Sequence, residues 1–355
     1  MAAQIEQRLK SLLLRGLTRW FQADRSGRAV PVAPERILVV RQDNRIGNLI
    51  FILPLLELLR NRFQTARIDL IVGGRFPDLL QGCSFINTIH CYDQLRFIRF
   101  PWLFFRFLYR IRSIHYEVVL DAKRVFSVNN FLLTVFSGAA FRIGFLHSDT
   151  PGKYNFEIPL NEEPFYEPVF LARLFSAFQP DYSVPALHLP LTAEMINQAD
   201  IYLKRLDLPV PHRLIAVHPG GRGNKRWPPE SFAQVCTGLL SEPDIIVFVF
   251  LGPDEATLET CFPEHIRLRI IRPRTPSVMA ALFKSCRLLI CNDTGPLHVA
   301  AAVGVPTVSI FLSTSPLRLA PQGPQHKVLD GTHGQYMTPD QVVQAVKQSA
   351  GKEAV

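Results

Sequence analysis

The chain has few cysteines, few tryptophans and no long apolar run. Its six cysteines form neither a Cys-x-x-Cys pair nor a cluster with histidine. This pattern argues against a disulfide framework or a zinc site and indicates reduced thiols in a cytosolic protein. Glu57 and several arginines interrupt the longest apolar stretches. Because a spanning helix needs about 18 apolar residues, we expect that the chain does not cross a membrane.

Acidic residues are outnumbered. The 355 residues include 30 Asp and Glu against 39 Lys and Arg, which gives a net charge of +9. Such an excess favours anionic partners, among them nucleotides, phosphorylated glycans, acidic lipids and nucleic acids, without choosing among them. A chain of this length suits two domains of ordinary size.

The first 34 residues are predicted to be an extension. Residues 3–21 place apolar side chains at helical spacing, with Arg8, Arg15 and Arg19 along one flank. They lack the features of a signal peptide, so we expect the helix to remain on the mature protein. An amphipathic basic helix fits an anionic membrane surface, and it fits packing against the protein's own surface equally well. Residues 23–34 are predicted to be a linker.

Strand-like and helix-length segments alternate along the rest of the chain, which predicts an α/β protein with parallel sheets. The predicted strands are 36–40, 68–72, 88–91, 116–121, 142–145, 214–217, 245–251, 268–271, 288–291 and 307–311. Prolines concentrate between 180 and 211, around one predicted helix at 193–206. We place the domain junction there, which gives an N-terminal domain at 35–190 and a C-terminal domain at 191–355.

The sequence pattern of residues 288–311 predicts a strand, a polar turn, a short helix and a second strand. Pro296 suits the first turn of that helix, and Gly304 suits its end. The N–H groups of Gly295, Leu297 and His298 should therefore be free to bind an anion, most often phosphate. An ordinary capped core helix would show the same spacing, and this alternative stays open.

A second polar loop, 218–228, follows the predicted strand 214–217. It contributes His218, Gly220, Arg222 and Lys225. The carboxyl ends of parallel strands share one edge of a sheet, so a diphosphate would fit between this loop and the turn at Asp293. Backbone donors and the charge of Lys225 or Arg222 would neutralise a pyrophosphate leaving group. We see no carboxylate pair for a divalent cation, and we predict neither metal nor cofactor.

The segment 95–116 combines arginines with a dense aromatic set. Its candidate residues for contact with an acceptor or a membrane are Arg96, Arg99, Arg106 and Arg110. Pro101 can begin a helix on which Arg106 and Arg110 share a face. Cationic side chains beside aromatic ones are typical of membrane interfaces, so we favour a membrane or glycolipid over core packing, and both over single-stranded nucleic acid.

Three segments in order resemble glycosyltransferase family 9, the heptosyltransferase-like enzymes. They are RILVVRQDNRIGNLIFILPLLELLR (36–60), VHPGGRGNKRWPPESF (217–232) and NDTGPLHVAAAVGVPTVSIF (292–311). The resemblance implies a GT-B architecture, with two Rossmann-like, doubly wound domains facing a central cleft. It also implies inverting transfer from a nucleotide-diphosphate sugar, ADP-heptose for many members, to the core of lipopolysaccharide or a related lipid-linked glycan.

The same resemblance implies that five residues hold the donor: Lys225, Asp293, Thr294, Gly295 and Leu297. We expect a cytoplasmic protein held peripherally at the inner face of the cytoplasmic membrane. Its partners would be the donor, the lipid-linked acceptor and the anionic membrane surface, and we expect no nucleic acid.

One departure concerns catalysis. The first-loop motif of the family commonly ends in Gly-Asp, with the Asp as proposed general base, whereas this chain has Gly47-Asn48. An amide cannot accept the proton of an acceptor hydroxyl. Asp43 is the nearest substitute in the loop, ahead of Asp121 and Asp149, although Asp43 also suits a simple turn residue. A non-catalytic scaffold that binds a nucleotide sugar is therefore the alternative to an active enzyme.

Overall fold

The computed structural model describes residues 29–147, 152–160, 165–208 and 213–350. The predicted amphipathic helix at 3–21, residues 23–28 of the predicted linker and Asp149 lie outside these ranges.

The first sheet is built from six parallel strands in the order β3-β2-β1-β4-β5-β6. They are β1 (Arg36–Arg41), β2 (Arg67–Gly73), β3 (Thr88–Tyr92), β4 (Val118–Asp121), β5 (Phe141–Leu146) and β6 (Phe156–Pro159). The central strand β1 carries the apolar residues 37–40, which are fully buried. This agrees with the continuous apolar run of a strand covered on both faces.

The second sheet also has six parallel strands, in the order β12-β11-β10-β7-β8-β9. They are β7 (Arg213–His218), β8 (Ile245–Phe250), β9 (Leu268–Ile271), β10 (Leu288–Asn292), β11 (Thr307–Phe311) and β12 (His326–Asp330). Numbered from its own first strand, each sheet has the order 3-2-1-4-5-6 of a doubly wound fold. Each therefore has a switch point between its first and fourth strands, outside which ligands bind.

Twelve α-helices lie in the described ranges. They are α1 (Ile46–Ile50), α2 (Leu53–Arg62), α3 (Gln94–Arg99), α4 (Pro101–Arg112), α5 (Val128–Phe136), α6 (Glu167–Ala172), α7 (Ala193–Lys204), α8 (Pro229–Leu239), α9 (Pro276–Lys284), α10 (Gly295–Ala302), α11 (Pro316–Leu319) and α12 (Pro339–Ala350). None of the described helices has both the length and the apolar character needed to cross a bilayer.

The ten predicted strands are present, and the structure adds β6 and β12. Both added strands are at the edge of their sheets, and most of their residues are half-buried or exposed. Without a continuous apolar run, neither has the pattern by which a buried strand is recognised. The last helix begins with a capping box, in which Gln341 N donates to Thr338 Oγ1 (3.3 Å) and Thr338 N donates to Gln341 Oε1 (2.9 Å).

The two sheets share apolar packing. One buried cluster contains residues of both halves, such as Leu56 of α2 and Phe283 of α9. The short helices α1 and α10 pack against each other across the seam. Helix α7 packs against α9 of the second sheet, and the boundary between residues 190 and 191 stays a prediction.

Candidate active site

The two polar loops of the second sheet meet at its switch point. Lys225, from the loop after β7, places its Nζ 2.8 Å from Oδ2 of Asp293, directly after β10. Asn292 ties the same loop to β10: its amide nitrogen donates to the carbonyls of Pro219 (3.2 Å) and Gly220 (2.8 Å). Its Oδ1 accepts from Trp227 N at 3.0 Å. The loop and the turn therefore form one rigid corner.

Asp293 lies beneath this corner. Its side chain is 3% exposed, against 38% for Lys225. Thr314 Oγ1 donates to Oδ2 at 2.6 Å, and His298 Nε2 lies 3.6 Å from Oδ1. Burial by itself would raise the pKa of Asp293, but His298, Lys225 and Thr314 outweigh it and hold that pKa below the ordinary value. The corner thus presents a cation outward and keeps the carboxylate inside.

The turn that opens α10 is partly as predicted. Thr294 is the N-cap residue, but its side chain does not cap the helix and instead donates to Asn292 O at 3.3 Å. The expectation that the Leu297 N–H is free is wrong, because this group donates to Thr294 O at 3.1 Å. Leu297 is also fully buried. Thr294 and Gly295 remain half-exposed at the helix N-terminus.

The candidate residues of the loop 218–228 divide into buried and exposed ones. His218 Nδ1 donates to Phe250 O at 3.0 Å, and burial lowers the pKa of His218. A side-chain carbon on Gly220 would lie 2.5 Å from His218 Nε2, which leaves room for glycine alone. Arg222 is 80% exposed and lies 3.9 Å from Asp254 Oδ2. His218 and Gly220 shape the loop, whereas Arg222 reaches solvent.

The first loop, after β1, carries a second charged cluster. The Asp43 carboxylate lies 3.1 Å from Arg41 Nε and 3.7 Å from Lys123 Nζ, and its side chain is 14% exposed. Arg41 is buried and donates to Ala122 O. Gln42 N donates to Asn130 Oδ1 at 3.3 Å. These contacts place Asp43 at the switch point of the first sheet, between the loops that follow β1 and β4.

The first loop lies against the turn that follows β10. A side-chain carbon on Gly47 would lie 2.7 Å from His298 Cδ2, and one on Gly295 would lie 3.5 Å from Gly47 N. His298 also contacts Phe51, with 4.4 Å between ring centroids. A side chain at position 47 would therefore clash with the His298 ring, and at Gly295 the tight contact is with Ile46 Cβ, which lies 3.0 Å from the added carbon. Asn48, half-buried in the first turn of α1, follows Gly47 directly at the seam.

Asp121 is a poor candidate for the base. It is 3% exposed, and its oxygens accept from Tyr154 Oη (2.7 Å) and Asn130 Nδ2 (2.8 Å). Burial raises the pKa of Asp121 to about 6, although both of these hydrogen bonds oppose that shift. A general base must touch the hydroxyl that it deprotonates, and this carboxyl group is enclosed by protein.

Three functional residues were not singled out by the sequence argument. Asn292 and Thr314 fix the Lys225–Asp293 corner, and Asn130 fixes the first loop. Asn292 stands inside a quoted motif and could have been found there as more than a turn residue. Thr314 and Asn130 carry no local signal, because their partners are 21 and 88 residues away in sequence.

The candidate arginines of segment 95–116 lie on the helices that follow the edge strand β3. Arg96, Arg99, Arg106 and Arg110 are all exposed. Large apolar side chains are exposed beside them: Leu95, Ile98, Trp102, Phe105 and Tyr109. The inner side of α4 buries Phe107 and Ile111. Core packing therefore accounts for the side of α4 that carries Phe107 and Ile111. It does not account for the apolar side chains on the exposed side.

Among the residues that the structure describes, no group of three or more His, Cys, Asp or Glu is arranged to hold a metal ion. Positive charge at the corner between the loop after β7 and the turn after β10 is supplied by Lys225 and Arg222.

Comparisons with known proteins agree with this architecture. The family model "Glycosyltransferase family 9 (heptosyltransferase)" matches residues 104–348. The lipopolysaccharide core heptosyltransferase OpsX of Haemophilus influenzae is 22% identical over 329 residues, which cover 90% of this chain and 87% of OpsX.

Solved structures show the same fold. A family 9 glycosyltransferase from Veillonella parvula has a TM-score of 0.76 at 20% identity and covers 90% of this chain and 98% of its own. The E. coli heptosyltransferase WaaC, solved with ADP, has a TM-score of 0.70 at 18% identity, with 88% and 99% covered. The predicted GT-B fold of two Rossmann-like halves is confirmed. The chain belongs to glycosyltransferase family 9 and is a glycosyltransferase.

Proposed function

We propose that this protein transfers heptose from ADP-heptose, with inversion, to the core of lipopolysaccharide or a related lipid-linked glycan. The observation that carries the proposal is the contact between the first loop, at Gly47, and the turn after β10, at Gly295. It brings a candidate proton acceptor and a cationic anion site to the same seam. The names of the relatives support the sugar and the acceptor: OpsX is a lipopolysaccharide core heptosyltransferase, and WaaC was solved with ADP.

Four of the candidate donor residues are accessible to a ligand. They are Arg222, Lys225, Thr294 and Gly295. Lys225 has three N–H donors, and its pair with Asp293 uses one of them. The positive end of α10 adds to the attraction for a diphosphate. The buried candidates Asp293, His218 and His298 then act by holding these groups in place, and Leu297 acts through packing.

The chemistry follows from this arrangement. The acceptor hydroxyl oxygen forms a bond to the anomeric carbon while the bond from that carbon to the diphosphate oxygen breaks. The hydroxyl proton passes to the Asp43 carboxylate, and the negative charge of the departing nucleoside diphosphate develops beside Lys225 and Arg222. Asn48 cannot take the proton, but its amide can hydrogen-bond the acceptor.

The α3–α4 surface supports a membrane location for this reaction. Trp102, Phe105 and Tyr109 are 63%, 67% and 77% exposed, beside Arg106 and Arg110. Amphipathic aromatic rings and long cationic side chains together favour the headgroup region of an anionic bilayer. A lipid-linked acceptor would be presented at the same surface. We therefore place the protein at the cytoplasmic membrane, peripherally, on its inner face.

The test is a transfer assay with purified protein, ADP-heptose and lipopolysaccharide core that lacks its heptose. We expect release of ADP together with a gain of one heptose in acceptor mass. A panel with other nucleoside-diphosphate sugars controls for donor choice. Transfer of a different sugar would contradict the ADP-heptose assignment. Donor binding without transfer to any lipid-linked acceptor would favour the scaffold alternative.

A further inference from the structure

A buried carboxylate, Glu167, joins the two halves of the molecule at a point distinct from the Gly47–Gly295 contact. We propose that Glu167 is a positioning residue that sets the distance between Asp43 and the Lys225–Asp293 pair. This inference rests on the proposed function, because it assigns Asp43 the role of base.

Glu167 forms ion pairs with one arginine from each half of the molecule. Glu167 Oε2 accepts from Arg124 Nη1 at 3.3 Å and from Arg318 Nη2 at 3.2 Å, and the glutamate side chain is 7% exposed. Arg124 comes from the loop after β4 of the first sheet, and Arg318 from α11 of the second. The Arg124 guanidinium also lies 4.1 Å from the centre of the Phe170 ring. A single carboxylate oxygen therefore connects one arginine from each sheet.

Both arginines lead directly to the reacting groups. Arg124 follows Lys123, whose Nζ is 3.7 Å from Asp43 Oδ1. Arg318 belongs to the segment after β11 that also supplies Thr314, which donates to Asp293 at 2.6 Å. The connection thus runs from Asp43 through the adjacent residues Lys123 and Arg124 to Glu167, and from Glu167 through Arg318 and the chain segment 314–318 to Asp293, which holds Lys225. Loss of Glu167 would free both loops at once.

A second carboxylate bridges the halves in the same manner but is exposed. Asp254 Oδ2 lies 3.6 Å from Arg75 Nη2 of the first half and 3.9 Å from Arg222 Nη2 of the second, and its side chain is 64% exposed. Exposed ion pairs contribute little. At Glu167 the carboxylate is buried, Arg124 is 19% exposed and Arg318 is 42% exposed, so loss of the carboxylate leaves a partly buried arginine uncompensated. We therefore assign the positioning role to Glu167, and Asp254 serves as the matched control.

The experiment compares Glu167→Gln with Asp254→Asn in transfer kinetics. For Glu167→Gln we expect kcat to fall about tenfold or more while the Kd for ADP stays within about twofold, the pattern of a residue that acts on alignment. Asp254→Asn should leave both values within about twofold. Equal kcat in wild type and Glu167→Gln would overturn the proposal.

A distance measurement separates this inference from the proposed function. Spin labels at Asn61→Cys and Glu264→Cys, in a Cys91→Ser, Cys261→Ser background, report the separation of the halves without any turnover. We expect a broader distance distribution for Glu167→Gln and an unchanged one for Asp254→Asn. An unchanged distribution in Glu167→Gln would overturn the inference even if transfer were lost. An absence of transfer in the wild type would sink the proposed function and leave this measurement valid.

A second variant guards against misfolding. Arg318→Met keeps the Arg124–Glu167 pair and removes only the link to the second sheet. We expect it to reproduce the kcat loss, and we expect the double variant with Glu167→Gln to lose no more than either single change, since both remove one link. Arg318→Lys, which retains the charge, should recover most of the rate. Additive losses would contradict a shared bridge.

Discussion

The two sheets have the same strand order, and each has a lysine–aspartate pair at its switch point. In the first sheet Lys123 and Asp43 are 3.7 Å apart, with side chains 24% and 14% exposed. In the second, Lys225 and Asp293 are 2.8 Å apart, and the exposures are 38% and 3%. The carboxylate is the more buried partner in both pairs, but only in the second pair is it almost fully enclosed while the lysine is well exposed.

This difference gives the two corners different chemistry. A buried, fully hydrogen-bonded carboxylate beside an exposed lysine presents positive charge, which suits a diphosphate. A carboxylate that remains partly exposed beside two cations can still meet a hydroxyl, which suits proton transfer. One fold therefore provides both an anion site and a candidate base by burying the carboxylate almost completely in one pair and only partly in the other.

The largest expected effect removes the carboxylate of the first pair. Asp43→Asn should lower kcat by roughly 10²–10⁴-fold, the usual contribution of general-base catalysis, with little change in ADP affinity. Steady-state kinetics and calorimetry measure the two quantities separately. Equal rates in wild type and variant would make Asp43 a turn residue.

Asn48→Asp is the converse experiment at the same loop. It restores the carboxylate that the family commonly has next to Gly47. A large gain in kcat would show that the native loop is a weakened site. An unchanged kcat would indicate that the base is already supplied elsewhere, as Asp43 would do.

The next effect concerns the carboxylates at the ends of the fourth strands, Asp121 and Asp293, whose pKa values move in opposite directions. The pKa of Asp121 is raised to about 6, so the folded state binds its proton more tightly than the unfolded state does. Its contribution to the free energy of unfolding is therefore present at low pH and is lost as pH rises from about 4 to about 6, by about 3 kcal/mol. The pKa of Asp293 is lowered, so its contribution is present above about pH 4 and is lost at lower pH.

Denaturant unfolding of Asp121→Asn and Asp293→Asn from pH 4 to pH 8 checks the Asp121 half of this contrast, because the contribution of Asp293 changes only below about pH 4. In the wild type we expect the free energy of unfolding to fall between pH 4 and pH 6. This fall should be smaller in Asp121→Asn and unchanged in Asp293→Asn. Parallel pH profiles for wild type and Asp121→Asn would contradict the assignment.

Lys225→Ala tests the second pair. Loss of this charge-assisted contact should weaken ADP binding by about 1–3 kcal/mol. Asp293 keeps Thr314 and His298 as partners, so the fold should survive. Lys204→Ala, at an exposed position on α7, is the control. Unchanged affinity in calorimetry would remove Lys225 from the donor site.

The smallest effect is expected at the α3–α4 surface. Each of Arg106→Gln and Arg110→Gln should weaken binding to vesicles rich in anionic lipid by about 1 kcal/mol, and added salt should weaken the wild type as well. Arg62→Gln, on α2, controls for net charge. If Arg106→Glu and Arg110→Glu, combined with deletion of residues 1–22, leave vesicle binding intact, the membrane assignment is wrong.

Much of the fold was predictable because its signals are local. Apolar runs marked ten of the twelve described strands, and Pro101 and Pro296 marked helix starts that the structure contains. The edge strands β6 and β12 escaped because a half-exposed strand needs no apolar run. Leu297 was predicted to offer a free N–H because sequence cannot tell whether a first-turn donor bonds to the preceding carbonyl.

The candidate site also has features that the sequence predicts and features that only the tertiary structure decides. The sequence by itself locates the Lys225 loop, the Asp293 turn and the Gly47-Asn48 pair at the site, because short polar loops after apolar strands mark the ligand-binding edge of a sheet. Which charges face the ligand was decided by the tertiary structure. Burial separates Asp293 from Lys225, and the ion pair of Arg318 with Glu167 joins residues 151 positions apart. Burial and long-range pairing depend on how the two sheets pack, and no local pattern encodes that packing.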